Sequence, residues 1–271
     1  MQGMDAETAD LPPVAPAAST ISCISGMGAA SASPRVDSAT AHSVDRMDHQ
    51  SQKTAARVQL NWPLISGAGS LLLGSVLGLI VLARGNTALE LDAEWMEEIV
   101  EHRSPLWDVP SYVLNFVGTG WFATAVSLLI VVLLFVARRR WTALFALLAI
   151  ALSAVLVQGL KAAFGRLRPE DILLNLDSGS FPSGHVANAA TLAAVLAVVT
   201  WRWWVVVAGA VYVVLMAISR TYLGAHWVTD TVGGLLIGAG VAVVLWAPFA
   251  YRILRERRQS APQEQPQTAT L

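Results

Sequence analysis

Apolar and polar positions along this chain fall into long blocks. Residues 1–60 are polar, residues 252–271 are polar, and nearly all the apolar sequence lies between. Within that middle region six apolar stretches stand out: Leu64–Ala83, Val113–Ala137, Thr142–Leu160, Val186–Thr200, Trp203–Ile218 and Thr231–Tyr251. A helix needs about 20 apolar residues to cross the hydrocarbon of a bilayer. The fourth and fifth stretches are short, and Trp201-Arg202-Trp203-Trp204 separates them with an aromatic cluster of the kind found at membrane–water interfaces. The pattern predicts an all-α fold, a six-transmembrane-helix bundle over residues 61–251, flanked by disordered tails at 1–60 and 252–271.

Composition sharpens this. The chain is 55% hydrophobic and only 14% charged, where a soluble domain carries roughly a quarter charged residues. A soluble enzyme built on one buried core is excluded. A net charge of −1 gives no broad electrostatic hold on nucleic acid. The one cysteine, Cys23, excludes an intrachain disulfide and a cysteine-based zinc site. The first residues carry Asp5, Glu7 and Asp10 where a signal peptide would carry basic residues. Cys23 follows no apolar run and reads as a cysteine in a tail rather than a lipidation site. A start at Met47 would leave the apolar region whole.

Arginines set the expected orientation. Arg138-Arg139-Arg140 join the second and third stretches, Arg202 joins the fourth and fifth, and Arg252, Arg255, Arg257 and Arg258 follow the sixth. With six spans these share one side with Lys53 and Arg57, and the positive-inside rule makes that side cytoplasmic. Loops 84–112, 161–185 and 219–230 then face outward. The first is acidic, with Glu90, Asp92, Glu94, Glu97, Glu98 and Glu101. Trp95, Met96, Ile99 and Val100 fall on one helical face, which predicts a short helix at the interface with its acidic residues on a solvated face.

The other two outward loops hold the chemistry. Lys161 closes the third stretch and Arg168-Pro169 follows; Phe181-Pro182-Ser183-Gly184-His185 opens the fourth; Ser219-Arg220 ends the fifth, with His226 and Asp230 beyond. Singly, each cation could be an interfacial anchor and Pro182-Ser183-Gly184 a simple helix start. Jointly they assemble a phosphate site: a helix N-terminus with open N–H groups, surrounded by fixed cations. A histidine four residues before an aspartate on a helix is an oriented nucleophile, and a second histidine can serve as the acid.

Lys161-x6-Arg168-Pro169, Pro182-Ser183-Gly184-His185 and Ser219-Arg220-x5-His226-x3-Asp230 together resemble the three-part signature of the type 2 phosphatidic acid phosphatase superfamily. That superfamily includes bacterial undecaprenyl-diphosphate phosphatases and shares its site with vanadium haloperoxidases. Leu89 to Trp121, with His102-Arg103-Ser104-Pro105 and Gly118, is similar to the first periplasmic loop of its bacterial members, so the resemblance covers residues 64–251.

The resemblance implies an integral membrane phosphatase acting on a lipid phosphate or diphosphate through a phosphohistidine, with catalytic residues at the outer membrane–water interface of a plasma or inner membrane. His226 would be the nucleophile, Asp230 its orienting partner and His185 the proton donor. Lys161, Arg168, Arg220, Ser183 and the Gly184 N–H would bind phosphoryl oxygens. No metal or cofactor is expected, because the cations already supply the charge. Arg166 reads as an extra loop charge. The expected partners are the lipid substrate and membrane lipids, with no nucleic acid; the oligomeric state is open. Two alternatives share the site: a lipid phosphotransferase, and a non-catalytic phosphate-binding transporter.

Overall fold

The computed structural model of the chain describes residues 38–176 and 179–259. Two units divide the chain, Met1–His49 and Gln50–Leu271, and the second holds the apolar helices and the candidate site. The described residues form eight helices and no strand: α1 (Ser38–Ala83), α2 (Glu90–Glu101), α3 (Pro105–Gly118), α4 (Gly120–Val136), α5 (Arg140–Phe164), α6 (Gly184–Thr200), α7 (Trp203–Tyr222) and α8 (Val228–Gln259). The tail expected over residues 1–60 lies outside the described residues up to 37, and α1 reaches back to Ser38. α8 continues to Gln259, across the first residues of the tail expected from 252, and the rest of that tail lies outside the described residues. Arginines are good helix formers and complement the dipole at a helix C-terminus, so the helix does not stop where its apolar face does.

Among the described residues four helices are long and apolar enough to cross a membrane: Asn61–Ala83 within α1, α5, α7 and α8. The pair α3 and α4, bent by 58° at Thr119, makes a fifth if counted as one span. The second apolar stretch is therefore not one straight helix. Pro105 sits in the first turn of α3, where its missing N–H costs nothing, so the helix starts well inside the predicted loop. α6, with 17 residues, is the short one. It is also the most enclosed: Val186, Ala187, Ala189, Ala190 and Val195 are buried, and it packs against α5, α7 and α8.

Small residues allow that enclosure. A Cβ at Gly234 would lie 2.5 Å from the Ser183 carbonyl oxygen, and one at Gly238 would lie 2.2 Å from that of Ala187. The four-residue spacing puts both glycines on one face of α8 and lets the first turn of α6 approach backbone to backbone. The Ser183 N–H then donates to the Asp230 carbonyl at 2.9 Å, locking the start of α6 to the start of α8. Outward faces remain apolar, with Leu72 and Leu73 on α1, Leu129 and Leu133 on α4, and Val207, Val211 and Val214 on α7 all exposed. Water would not tolerate so continuous a belt; lipid does.

Candidate functional site

The site lies where α5 and α7 end and α6 and α8 begin. Gly165, in the left-handed region at φ 57°, terminates α5 immediately after the turn that carries Lys161. Its backbone conformation turns the chain out of the helix and back across the bundle end. From there the segment 165–183 returns to α6. Lys161, Arg168, Gly184, His185, Arg220 and His226 all line one cavity of about 320 Å³. Of the eight residues expected from sequence, Ser183 and Asp230 are not on that lining. Asp230 lies behind His226, with Oδ2 3.6 Å from Nδ1. That is ion-pair range but too long for a hydrogen bond. The Ser183 hydroxyl is buried without a partner, and an unpaired buried hydroxyl is costly unless something arrives to satisfy it.

The cations are held by carbonyl oxygens. Lys161 donates through Nζ to the Gly179 carbonyl, and Arg168 donates to the Ala225 and Gly179 carbonyls. Arg220 is fully buried, and its guanidinium donates to the Asn115 side-chain oxygen. The Asn115 backbone carbonyl meets His185 Nε2 at 3.3 Å. Asn115 therefore fixes two expected site residues at once, and it is not itself among the residues expected from sequence. The available signal was an amide inside an apolar stretch, which is expensive in a membrane unless it has work to do. Gly118, one turn along α3, makes room for the His185 ring: a Cβ there would stand 2.3 Å from its Cδ2.

Electrostatics follow from burial. His226, in the connection between α7 and α8, is 3% exposed, and burial pushes its imidazole well below the ordinary 6.5. Arg220, Lys161 and Arg168 push it further in the same direction, because a charged ring would repel them. Arg168 is lowered as well, first by burial, with Asp230 offsetting part of the shift.

Two sequence expectations are corrected. Arg166 is not a solvated loop charge: it is 1% exposed, with NH1 2.6 Å from Asp230 Oδ1 and NH2 2.7 Å from Asp92 Oδ2. Nor is the acidic segment 90–101 wholly a solvated face. α2 forms as expected, but Asp92 is fully buried on its inner side beside Met96. A carboxylate two residues into a helix reads as a first-turn charge. Only the tertiary partner, from a loop far along the chain, shows why it points inward. The cavity lining also includes the polar side chains of Thr124, Ser153, Gln158, Asn188 and Thr191. Among the described residues, Glu98, Glu101 and His102 are close enough to share an ion, but all three are exposed and none lines the cavity.

A membrane-type helical bundle whose connections gather cations and two histidines around one cavity defines a class of phosphate-handling membrane proteins. The PAP2 superfamily model matches residues 142–254, a range that holds every expected site residue. Phosphatidylglycerophosphatase B of Bacillus subtilis is 33% identical over 135 residues, 46% of this chain and 66% of that protein; the match thus spans just under two thirds of its length. The crystal structure of Aquifex aeolicus LpxE is 31% identical, with 58% of this chain and 95% of that one covered at a TM-score of 0.52. That of a transmembrane PAP2-type phosphatidylglycerolphosphate phosphatase from Bacillus subtilis shares the fold at 23% identity, over 73% of this chain and 98% of that one, at a TM-score of 0.58. The chain belongs to the PAP2 superfamily and is a multi-pass membrane protein.

Proposed function

We propose that this protein is an integral membrane phosphatase that hydrolyses a lipid phosphate or diphosphate through a phosphohistidine intermediate. The observation that carries the reading is the convergence of Lys161, Arg168, Arg220, His185 and His226 on one cavity at one end of the bundle. His226 turns Nδ1 toward Asp230, which leaves Nε2 for phosphorus. Its depressed affinity for protons keeps the ring a neutral nucleophile at physiological pH. Attack by Nε2 forms a P–N bond and breaks the P–O bond to the lipid, and His185 gives the leaving oxygen its proton. Water then attacks phosphorus, loses a proton to His185, and releases inorganic phosphate with neutral His226. The bound phosphate dianion supplies the negative charge that lets His185 carry a second proton. The guanidinium and ammonium groups, with the Gly184 N–H, stabilise charge on the transferring phosphoryl oxygens, which is most of what phosphoryl transfer asks of a protein. No step calls for a metal ion.

The six-span arrangement belongs to this proposal, with α6 as a short span. At 1.5 Å per residue its length is about 26 Å, near the ~30 Å of bilayer hydrocarbon. Both chain ends then face the cytoplasm and the cavity faces outward at the interface, as the arginine distribution implies. Phosphatidylglycerol phosphate, undecaprenyl diphosphate and phosphatidic acid are the substrates to try. Purified protein in detergent with excess chelator should release inorganic phosphate from at least one of them. Loss of activity in chelator, restored by magnesium, would overturn the phosphohistidine mechanism. Transfer of the phosphoryl group to an added acceptor lipid in preference to water would favour a phosphotransferase. An impermeant thiol reagent on intact cells should label a cysteine placed at Glu98 and not one at Arg257; the reverse would invert the orientation.

A further inference from the structure

Asp230 can orient His226 only if its own carboxylate is held still. Its Oδ2 accepts the Trp227 N–H at 2.9 Å and faces the imidazole. Its Oδ1 accepts from Arg166 NH1 at 2.6 Å. The same NH1 reaches the Thr229 hydroxyl at 2.8 Å, while NH2 reaches Asp92 Oδ2 at 2.7 Å and the Thr87 carbonyl at 3.1 Å. Asp92 in turn takes the Thr229 N–H on Oδ1 at 2.9 Å. All three charged groups are buried, and neither Arg166 nor Asp92 lines the cavity.

A buried acid–base–acid triad is poor evidence of added stability, because well-packed apolar groups of the same volume usually serve as well. What this one supplies is a fixed orientation, since the Asp230 carboxylate is bonded on both oxygens. We infer that Asp92, acting through Arg166, is a positioning residue for catalysis: the pair clamps the Asp230 carboxylate in the rotation that His226 requires, and makes α2 a working part of the active site. The inference rests on the reading of His226 as the nucleophile. Arg166 is one guanidinium spanning two carboxylates from different helices, so substitution at either end should release Asp230 without touching the phosphate.

The test is a kinetic comparison of Asp92→Asn, Arg166→Lys and Asp230→Asn, alone and in pairs, in purified full-length protein. Asp92→Asn and Arg166→Lys should each lower kcat by about 10- to 100-fold while KM and inhibition by inorganic phosphate stay within ~3-fold. Inhibition by vanadate, which resembles the transferring group, should weaken along with kcat. In the Asp230→Asn background, either substitution should cost no more than a further ~3-fold, since groups acting as a unit do not add. Losses that multiply in the pair would overturn the inference, as would wild-type kcat in Asp92→Asn or a rise in KM with kcat intact. If both charge variants fail to fold, Thr229→Val decides. It removes a hydroxyl shared by Asp92 and Arg166 at nearly constant volume, and an unchanged kcat there overturns the clamp. A wild-type protein that releases no phosphate from any lipid phosphate would overturn the nucleophile reading and the clamp together. An active wild type with an unaffected Asp92→Asn would overturn the clamp alone.

Discussion

Arginines crowd both ends of this bundle, and the two ends hold them in opposite ways. At the end without the cavity, Arg252 lies over the Trp141 ring at 3.7 Å and Arg257 over Trp201 at 5.5 Å, both exposed. There the guanidinium keeps its water and leans on an aromatic face, an arrangement worth about 0.5–1 kcal/mol at exposed sites. At the cavity end Arg220 and Arg166 are stripped of water. A buried charge must be answered by an opposite charge or a ligand. Arg166 is answered by two carboxylates; Arg220 has a neutral amide from Asn115. Burial, not residue type, turns an anchor into a site.

The comparison breaks most sharply at His226. His226→Ala should lower phosphate release by about 10⁴-fold or more, and Asp230→Asn by about 10²- to 10⁴-fold through a misoriented ring. Detergent-extracted variants should elute as the wild type does on gel filtration. Appreciable turnover by His226→Ala would move the nucleophile elsewhere.

Next in size is the contrast between the arginines themselves. Arg220→Lys should reduce kcat/KM by about 10- to 100-fold, because an ammonium cannot reach Asn115 and a phosphoryl oxygen in one fixed plane. Arg202→Lys, on the exposed turn before α7, should leave kcat/KM within about 2-fold. Equal losses at both positions would mean that total positive charge matters rather than geometry.

Much of this was legible in the sequence, for identifiable reasons. Apolar runs announce helices that face lipid, and α5, α6 and α7 fall within a few residues of their predicted bounds, while α8 runs on to Gln259. Cations and histidines stand at helix ends in fixed spacing, and the structure brings Lys161, His185, Arg220 and His226, all singled out by that spacing, to one cavity. The misses share one cause. Asn115, Arg166 and Asp92 act through partners far along the chain, and a one-dimensional pattern gives a lone polar residue its bland meaning. The bend at Thr119 does carry a signal, the glycines Gly118 and Gly120 on either side of it, which a long apolar run outweighs.

A smaller effect should appear on acidification. The folded protein keeps His226 neutral well below pH 6.5, while the unfolded chain takes up a proton near that value. Between the two, the unfolded state binds more protons, so this residue's linkage makes the fold less stable as pH falls below 6.5 and leaves it flat above. In protein labelled at histidine carbons, the His226 ring signal, assigned by its loss in His226→Ala, should show no titration between pH 7.5 and about 5.5, where a free imidazole shifts with a midpoint near 6.5. A midpoint near 6.5 would mean that the cavity is wetter than its geometry implies.

The smallest expected effect lies at the opposite end and tests whether that end is merely structural. Glu256 accepts the Trp141 and Thr142 backbone N–H groups at 2.7 and 3.0 Å and the Thr142 hydroxyl at 2.8 Å. It therefore caps α5 from the last turns of α8, supplying a carboxylate where the N-terminal N–H groups have no partner. Glu256→Gln keeps one acceptor and removes the charge, which should cost about 1 kcal/mol and lower Tm by roughly 2–4 °C. The same helix carries Lys161 at its far end, so a shift of α5 along its axis would reach the cavity. Packing against α6 and α8 along its length resists such a shift, and kcat should stay within about 2-fold of wild type. A loss of kcat comparable to that of Arg220→Lys would show that the two ends are rigidly coupled through α5, and the cap would then have to be counted among the supports of the site.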